Sequence, residues 1–192
     1  MKALFSAATG MAAQQIQIDS IANNLANVST NGFKKTRVAF EDLVYENIRT
    51  GEASAESQRP GQLEIGSGSR VVATQRDFTP GAISQTNAPL DVAIQGRGFF
   101  VVQTPDGVER YTRVGSFNVN MDSELVTQQG LPVSPGVTVP LDASEVIIAE
   151  DGTVQVRYSD STDAVTVGSI DVVDFANPNS LKALGGNLFQ AT

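Results

Sequence analysis

Residues 1–33 read MKALFSAATGMAAQQIQIDSIANNLANVSTNGF. Taken in steps of seven, Leu4, Met11, Ile18 and Leu25 share one position, and Ala7, Gln14, Ile21 and Val28 stand three residues further on. A repeat of about 3.5 residues lays an apolar seam along one side of a helix. The spacing predicts a helix from near Ala3 to Asn31-Gly32, a pair that accepts positive φ and suits a left-handed cap. Only Lys2 and Asp19 carry charge within this stretch. Its other faces are Ala, Gln, Ser and Asn, which can be buried against further chains without stranding a charge.

Burying the larger seam residues stabilises such a helix, but ordering its backbone and side chains costs more than the seam returns. The helix therefore needs a partner surface, either the body of its own chain or neighbouring chains. No second heptad stretch occurs in residues 34–192 to complete an internal bundle, which favours neighbouring chains. Asn23, Asn24 and Asn27 crowd into five positions of the most apolar section, although asparagine is a mediocre helix former. They mark either a fraying helix end or amides that hydrogen-bond across packed helices of neighbouring subunits, as a buried asparagine sets register in coiled coils.

Composition excludes several functions. The 192 residues include no cysteine and no histidine. A thiolate nucleophile, a disulfide, an imidazole base and an ordinary zinc site are thereby ruled out for this stretch of chain. The net charge is −8; residues 1–45 hold four basic and three acidic side chains, leaving −9 for residues 46–192. An acidic body argues against nucleic-acid binding, which needs clustered cations for phosphate contacts. The short Lys34-Lys35-x-Arg37 cluster reads as a solvated helix exit. No run approaches the length of apolar sequence that spans a bilayer. Ser6, Thr9 and Gly10 interrupt the apolar stretch that would otherwise suggest a signal peptide, and they sit in a heptad that continues to Val28.

Beyond Phe33 the period changes. Val38, Phe40, Leu43, Val44 and Tyr45 fit a strand or one helical turn. Residues 51–69, GEASAESQRPGQLEIGSGS, read as a flexible surface loop or linker, with Gln62-Leu63-Glu64-Ile65 alternating like a strand. From about Arg70 strands alternate with turns. The candidates are Val71 to Ala73, Leu90 to Gln95, Phe99 to Thr104, Gly107 to Val114, Phe117 to Asn120, Leu125 to Thr127, Val146 to Ala149, Thr153 to Tyr158 and Val165 to Asp174. Turns are expected at Pro105-Asp106-Gly107, at residues 120–123 and at Glu150-Asp151-Gly152. Asn177 to Ser180 ends the last strand, and Leu181 to Leu184 fits one helical turn. The expected fold is mainly β with an N-terminal α-helix: a compact antiparallel barrel or sandwich carrying a long amphipathic arm. Its divisions are an assembly helix over residues 1–33, a connecting segment with an extended loop over 34–69, and a β-rich body over 70–192.

The body offers little chemistry. Asp151 with Asp174, or Asp122 with Glu124, would serve as an acid and base only if they faced one another across a cleft, and acidic residues in turns are ordinarily solvated. Gly96-Arg97-Gly98 is too short for a phosphate loop and marks a close backbone approach or a bulge. Phe99-Phe100 reads as one core position and one edge position. No cofactor or metal site is expected.

Leu4 to Phe33 resembles the amino terminus of the flagellar rod and hook axial proteins, through SAATGM at 6–11, AQQ at 13–15, IANNLANV at 21–28 and TNGFK at 30–34. Residues 81–87 (GAISQTN), 91–100 (DVAIQGRGFF), 105–107, 111–117 (YTRVGSF) and 125–127 extend the likeness across most of the chain, and within the group it is most similar to distal rod members. The resemblance implies a non-enzymatic structural subunit that stacks into a helical tube and transmits torque from motor to hook. Implied partners are its own copies, neighbouring rod and hook proteins, and basal-body rings, with no nucleic acid and no membrane insertion. Implied too are a place in the rod spanning the periplasm, export by the flagellar secretion system without a cleaved leader, and subunit contacts through Leu4, Ala7, Met11, Gln14, Ile18, Ile21, Asn23, Asn24, Leu25, Asn27 and Val28. The resemblance also implies a second amphipathic helix at the carboxy terminus, and residues 34–192 hold no stretch that matches it. Segment 51–69 corresponds to one that distal rod proteins have and hook proteins lack, associated with a stiff, straight tube. The alternatives are a proximal rod or hook protein of the same group, or a secreted carbohydrate-binding or adhesive β domain. The scarcity of sugar-stacking aromatics, with no Trp and three Tyr, weighs against the last.

Overall fold

The computed structural model describes residues 2–49, 63–159 and 163–191, which fall into two compact units. Unit 1 comprises residues 1–29 and 34–77; unit 2 comprises residues 30–33 and 78–192. The fold is mainly β with one N-terminal helix and antiparallel sheets.

In unit 1, helix α1 spans Lys2–Ala26. It stops earlier than the heptad suggests, and the asparagines account for this. Asn27 Nδ2 donates to the Asn23 carbonyl (2.9 Å), while the Val28 N–H turns to the Leu25 carbonyl (3.2 Å), tightening the last turn. The positive φ expected at Asn31-Gly32 is present at Gly32 (72°), but in a separate turn closed by the Phe33 N–H on the Thr30 carbonyl.

Four strands follow: β1 Thr36–Asp42, β2 Tyr45–Arg49, β3 Leu63–Gly66 and β4 Ser69–Arg76. β1 pairs antiparallel with β4, Thr36 opposite Arg76 and Asp42 opposite Ser69. β2 pairs with β3, Tyr45 opposite Gly66. Hydrogen bonds from Leu43 N–H to the Gly68 carbonyl (2.9 Å) and from Ser67 N–H to the Val44 carbonyl (3.2 Å) join the two ladders into one ribbon. The stretch from Val38 to Tyr45 is therefore strand as far as Asp42 and again from Tyr45, with Leu43 and Val44 between, and Leu63 to Ile65 of the expected alternation lie in β3. Most of the loop expected at 51–69 lies outside the described residues.

Unit 2 contains β5 Phe99–Gln103, β6 Glu109–Thr112, β7 Phe117–Val119, β8 Leu125–Thr127, β9 Ala143–Ile148, β10 Thr153–Tyr158, β11 Ala164–Ser169, β12 Val172–Val173, β13 Lys182–Gly185 and β14 Leu188–Gln190. They form a five-stranded sheet in the order β12-β5-β6-β14-β13, a three-stranded sheet β11-β10-β9 and the hairpin β7-β8. None of these sheets closes into a barrel.

Both phenylalanines of the Phe99-Phe100 pair are core, which corrects the expectation of one edge position. Neighbours on a strand point to opposite faces, so β5 feeds two clusters. Phe100 packs with Phe117, Leu125, Val133, Val137, Val154 and Ile170, with Val146, Ile148 and Val167 of the three-stranded sheet against it. Phe99 packs with Leu181 and Phe189, ringed by Phe78, Tyr111 and Phe175. The rings of this second cluster meet edge to face, Phe78 and Phe99 at 5.5 Å between centroids.

Three further expectations are corrected. Residues 90–95 form no strand: Leu90 lies in a turn, Asp91 makes a single bridge to Ser116 and the Val92 N–H donates to the Gly115 carbonyl. The run from Val165 to Asp174 breaks at buried Ile170, whose N–H donates to the Gly152 carbonyl, so that β11 and β12 enter different sheets. Leu181 to Leu184 is no helical turn; residues 182–185 form β13, which doubles back through Gly185, Gly186 and Asn187, all at positive φ, into β14. The turn at Glu150-Asp151-Gly152 is present, closed by Gly152 N–H on the Ala149 carbonyl (3.0 Å).

Gly115 has no room for a side chain. A Cβ there would be driven into the Val92 carbonyl oxygen and would lie 3.1 Å from the Phe100 ring. Gly115→Ala is expected to destabilise unit 2 by about 1–3 kcal/mol, read as a lower urea midpoint with unchanged slope.

Candidate functional site

The expected assembly residues on and just after α1, other than Asn24 and Asn27, lie where solvent reaches them. Leu4, Met11, Ile18, Ile21, Leu25 and Val28 are each between 57% and 76% exposed, and Ala7 and Gln14 are exposed as well. What α1 turns inward is a second seam that the sequence reading missed. Ser6, Ala13, Ser20 and Asn27 also recur every seven residues, two positions after Leu4, Met11, Ile18 and Leu25. At 3.6 residues per turn, a shift of two residues is a rotation of about 200°, so the small, polar seam lies opposite the apolar one. Ala13 is 7% exposed, while Ser6, Thr9, Gly10, Ser20, Asn24 and Asn27 are half-buried. α1 packs this face on β1 and β4.

Two contacts show why small polar residues are required here. Gly68, between β3 and β4, has φ 121°, and a Cβ on it would run into the Thr9 hydroxyl and lie 3.4 Å from the Ser6 Cα. Further along, Asn24 Nδ2 donates to the Thr36 carbonyl (2.8 Å) while the Thr36 N–H donates to Asn24 Oδ1 (2.9 Å). Ser20 Oγ donates to the same carbonyl (3.1 Å). The Asn24 amide is thus engaged within its own chain at both ends, and Asn27 Nδ2 is on Asn23. The repeat of Ser6, Ala13 and Ser20 is the signal that would have found this face.

Electrostatics on unit 1 is modest. Lys35 pairs with Asp77 at 3.0 Å and Arg70 with Glu41 at 3.1 Å, both largely exposed, a setting in which ion pairs contribute little. The Tyr45 hydroxyl is held above its ordinary value, first by its hydrogen bond to Asp42 and then by the charges of Asp42 and Glu64.

Of the carboxylates weighed as an acid and base, Asp151 and Asp174 are engaged elsewhere. Asp151 accepts from the Thr153 hydroxyl (2.6 Å) and N–H (3.0 Å), and these bonds lower its pKa. Asp174 pairs with Arg97 Nε at 3.3 Å. Arg97 also donates to the Phe175 carbonyl, and Arg113 donates to the Gly96 carbonyl (2.7 Å) from above the Phe99 ring. Within Gly96-Arg97-Gly98 the close approach that the sequence suggested falls at Gly98, against which Val172 is pressed, while Gly96 is open. Among the described residues no three His, Cys, Asp or Glu side chains gather as a metal site, and no helix is long and apolar enough to cross a membrane.

Two family models match the chain. Residues 4–34, α1 and the turn after it, match the flagella basal body rod protein family, and residues 93–156, within unit 2, match the D1 domain of the flagellar hook proteins FlgE/F/G. The flagellar basal-body rod protein FlgG of Buchnera aphidicola subsp. Acyrthosiphon pisum is 45% identical over 98% of this chain and 74% of its own length. The chain belongs to the flagellar basal-body rod protein FlgG family. The FlgG of Borreliella burgdorferi is 44% identical over 100% of this chain and 74% of its own length. A flagellar hook protein FlgE from Helicobacter pylori is 38% identical, over 69% of this chain and 19% of its own length. The chain is therefore a structural rod subunit of the flagellum, and the rod reading stands over the hook alternative.

The orientation of α1 generates a paired test. Ile18→Ser is expected to leave the melting of the isolated chain within about 0.5 kcal/mol of wild type, as for an exposed site. Ala13→Leu, on the covered face, is expected to cost about 1–3 kcal/mol through overpacking. The reverse ranking in thermal or urea unfolding would mean that the large seam faces inward.

Proposed function

We propose that this chain is a subunit of the distal rod whose copies stack through α1 into a helical tube that carries torque from motor to hook. The observation that carries the reading is the uncharged seam of large apolar residues left in solvent on α1. Exposed apolar patches of this kind mark surfaces that another protein covers. A patch that binds a different patch on the next copy generates a helix whenever the rotation does not close. Leu4, Met11, Ile18, Ile21, Leu25 and Val28 supply the apolar contact, with Ala7 and Gln14 allowing close approach. Residues 1–33 then act as the assembly segment, 34–69 as a connecting segment and extended loop, and 70–192 as the outer β body.

Neighbouring rod and hook proteins and the basal-body rings follow as partners from the same reading. So do a position in the rod across the periplasm and export through the flagellar secretion system without a cleaved leader. Torque transmission asks for stiff, repeated contacts rather than reacting groups, so we assign no catalytic role.

The test is to place Ile18→Asp and Leu25→Asp together in the cell's own copy of the protein and to image purified basal bodies. A subunit that accumulates and melts normally, with rods interrupted and motility lost, is the expected result. Full-length rods and normal swimming would overturn the proposal.

A further inference from the structure

Taken alone, the hydrophobic effect favours turning the large apolar seam of α1 out of water and onto the ribbon. Such a roll would hide the surface through which, on the reading above, subunits stack. The helix is instead seated on its small face, and the polar contacts that hold that face converge on one residue, Thr36.

We propose that Asn24 is a positioning residue that locks the rotation of α1 on the ribbon, so that the free subunit presents its apolar seam ready for stacking. The argument is geometric. A carboxamide carries a carbonyl acceptor and an NH2 donor side by side in one plane. Asn24 uses both on the backbone of Thr36, at 2.8 and 2.9 Å, as a residue on a neighbouring strand exchanges both of its bonds in a closely spaced antiparallel pair. Thr36 is the first residue of β1, so the grip falls where the ribbon begins. Because both arms are engaged, rotation of the helix in either direction breaks at least one bond. Ser20, one turn earlier, adds a second donor to the Thr36 carbonyl at 3.1 Å. Gly68 sets the far end, where its backbone approach admits only the small residues at Ser6 and Thr9. Leucine, nearly isosteric with asparagine, has neither arm; aspartate keeps the acceptor and loses the donor. This inference rests on the stacking role of α1.

The experiment pairs amide exchange by NMR on the purified chain with rod assembly in cells. In Asn24→Ala the Thr36 amide is expected to exchange about fivefold faster, the factor set by losing one net hydrogen bond. Amides of β5 and β10 should keep their rates, and fewer rods should be completed. Asn24→Asp at neutral pH should leave the Thr36 amide slow, since its acceptor remains, while still lowering assembly. Ser20→Ala should give a smaller defect of the same kind. An unchanged Thr36 amide in Asn24→Ala would overturn the lock. Faster exchange with normal rods would overturn its role in assembly. Lost rods with a slow Thr36 amide in Asn24→Ala would place the Asn24 amide on another subunit and overturn the proposal too. Normal rods in the Ile18→Asp, Leu25→Asp variant would instead remove the stacking reading itself, whatever Thr36 does.

Discussion

α1 buries its small residues and leaves its large ones in water, and the arrangement of unit 1 follows from this inversion. Apolar burial is worth roughly 25 cal/mol for each Å² removed from water, so a helix seated on Ser6, Thr9, Ala13 and Ser20 gains little from the hydrophobic effect. The contact is made instead by close backbone approach at Gly68 and by directed hydrogen bonds at Thr36. Close approach and side-chain length exclude one another: a leucine at position 6 or 13 would push the helix off the ribbon and take Asn24 out of reach of Thr36. The identities along the inner seam are thus coupled to one another over the length of the helix. The outer seam is free of that coupling and available for a different task.

Unit 2 solves a different problem. Its two clusters lie on the two faces of one sheet, and β5 supplies a phenylalanine to each. Around Phe99 the packing is aromatic, with Phe78, Phe175 and Phe189 meeting it edge to face; around Phe100 it is aliphatic apart from Phe117. Arg113 lies over the Phe99 ring, its charge disfavoured by burial and supported by Asp174. The same Asp174 holds Arg97, so one carboxylate serves two guanidinium groups where the chain enters β5.

How much of this could be read from residues alone depended on the kind of signal. The apolar seam of α1 was legible because the heptad runs from Leu4 to Val28 without a break. Its end was not, because Asn27 closes the helix with a side-chain bond to the Asn23 carbonyl that leaves the seam intact. The inner seam went unread because serine and alanine at a seven-residue spacing carry no hydropathy contrast. In unit 2, Thr153 to Tyr158 was read to the residue, since polar and buried valine positions alternate there. Phe99 to Val102 runs apolar throughout because both faces are covered, and alternation cannot assign such a strand to one side. The hairpin of β13 and β14 was missed because Gly185, Gly186 and Asn187 look like a chain running out of structure, when they are the turn that brings Phe189 back into the core.

The pairing of Phe99 with Phe100 also sets how unit 2 comes apart. Local opening requires a region that can detach while the rest stays packed, and β5 denies unit 2 that option. Like the web between the two flanges of a beam, this strand is shared by both clusters, and drawing it out empties both at once. The unit should open all together or not at all. Such behaviour suits a part under repeated load, because it has no weaker half to yield first.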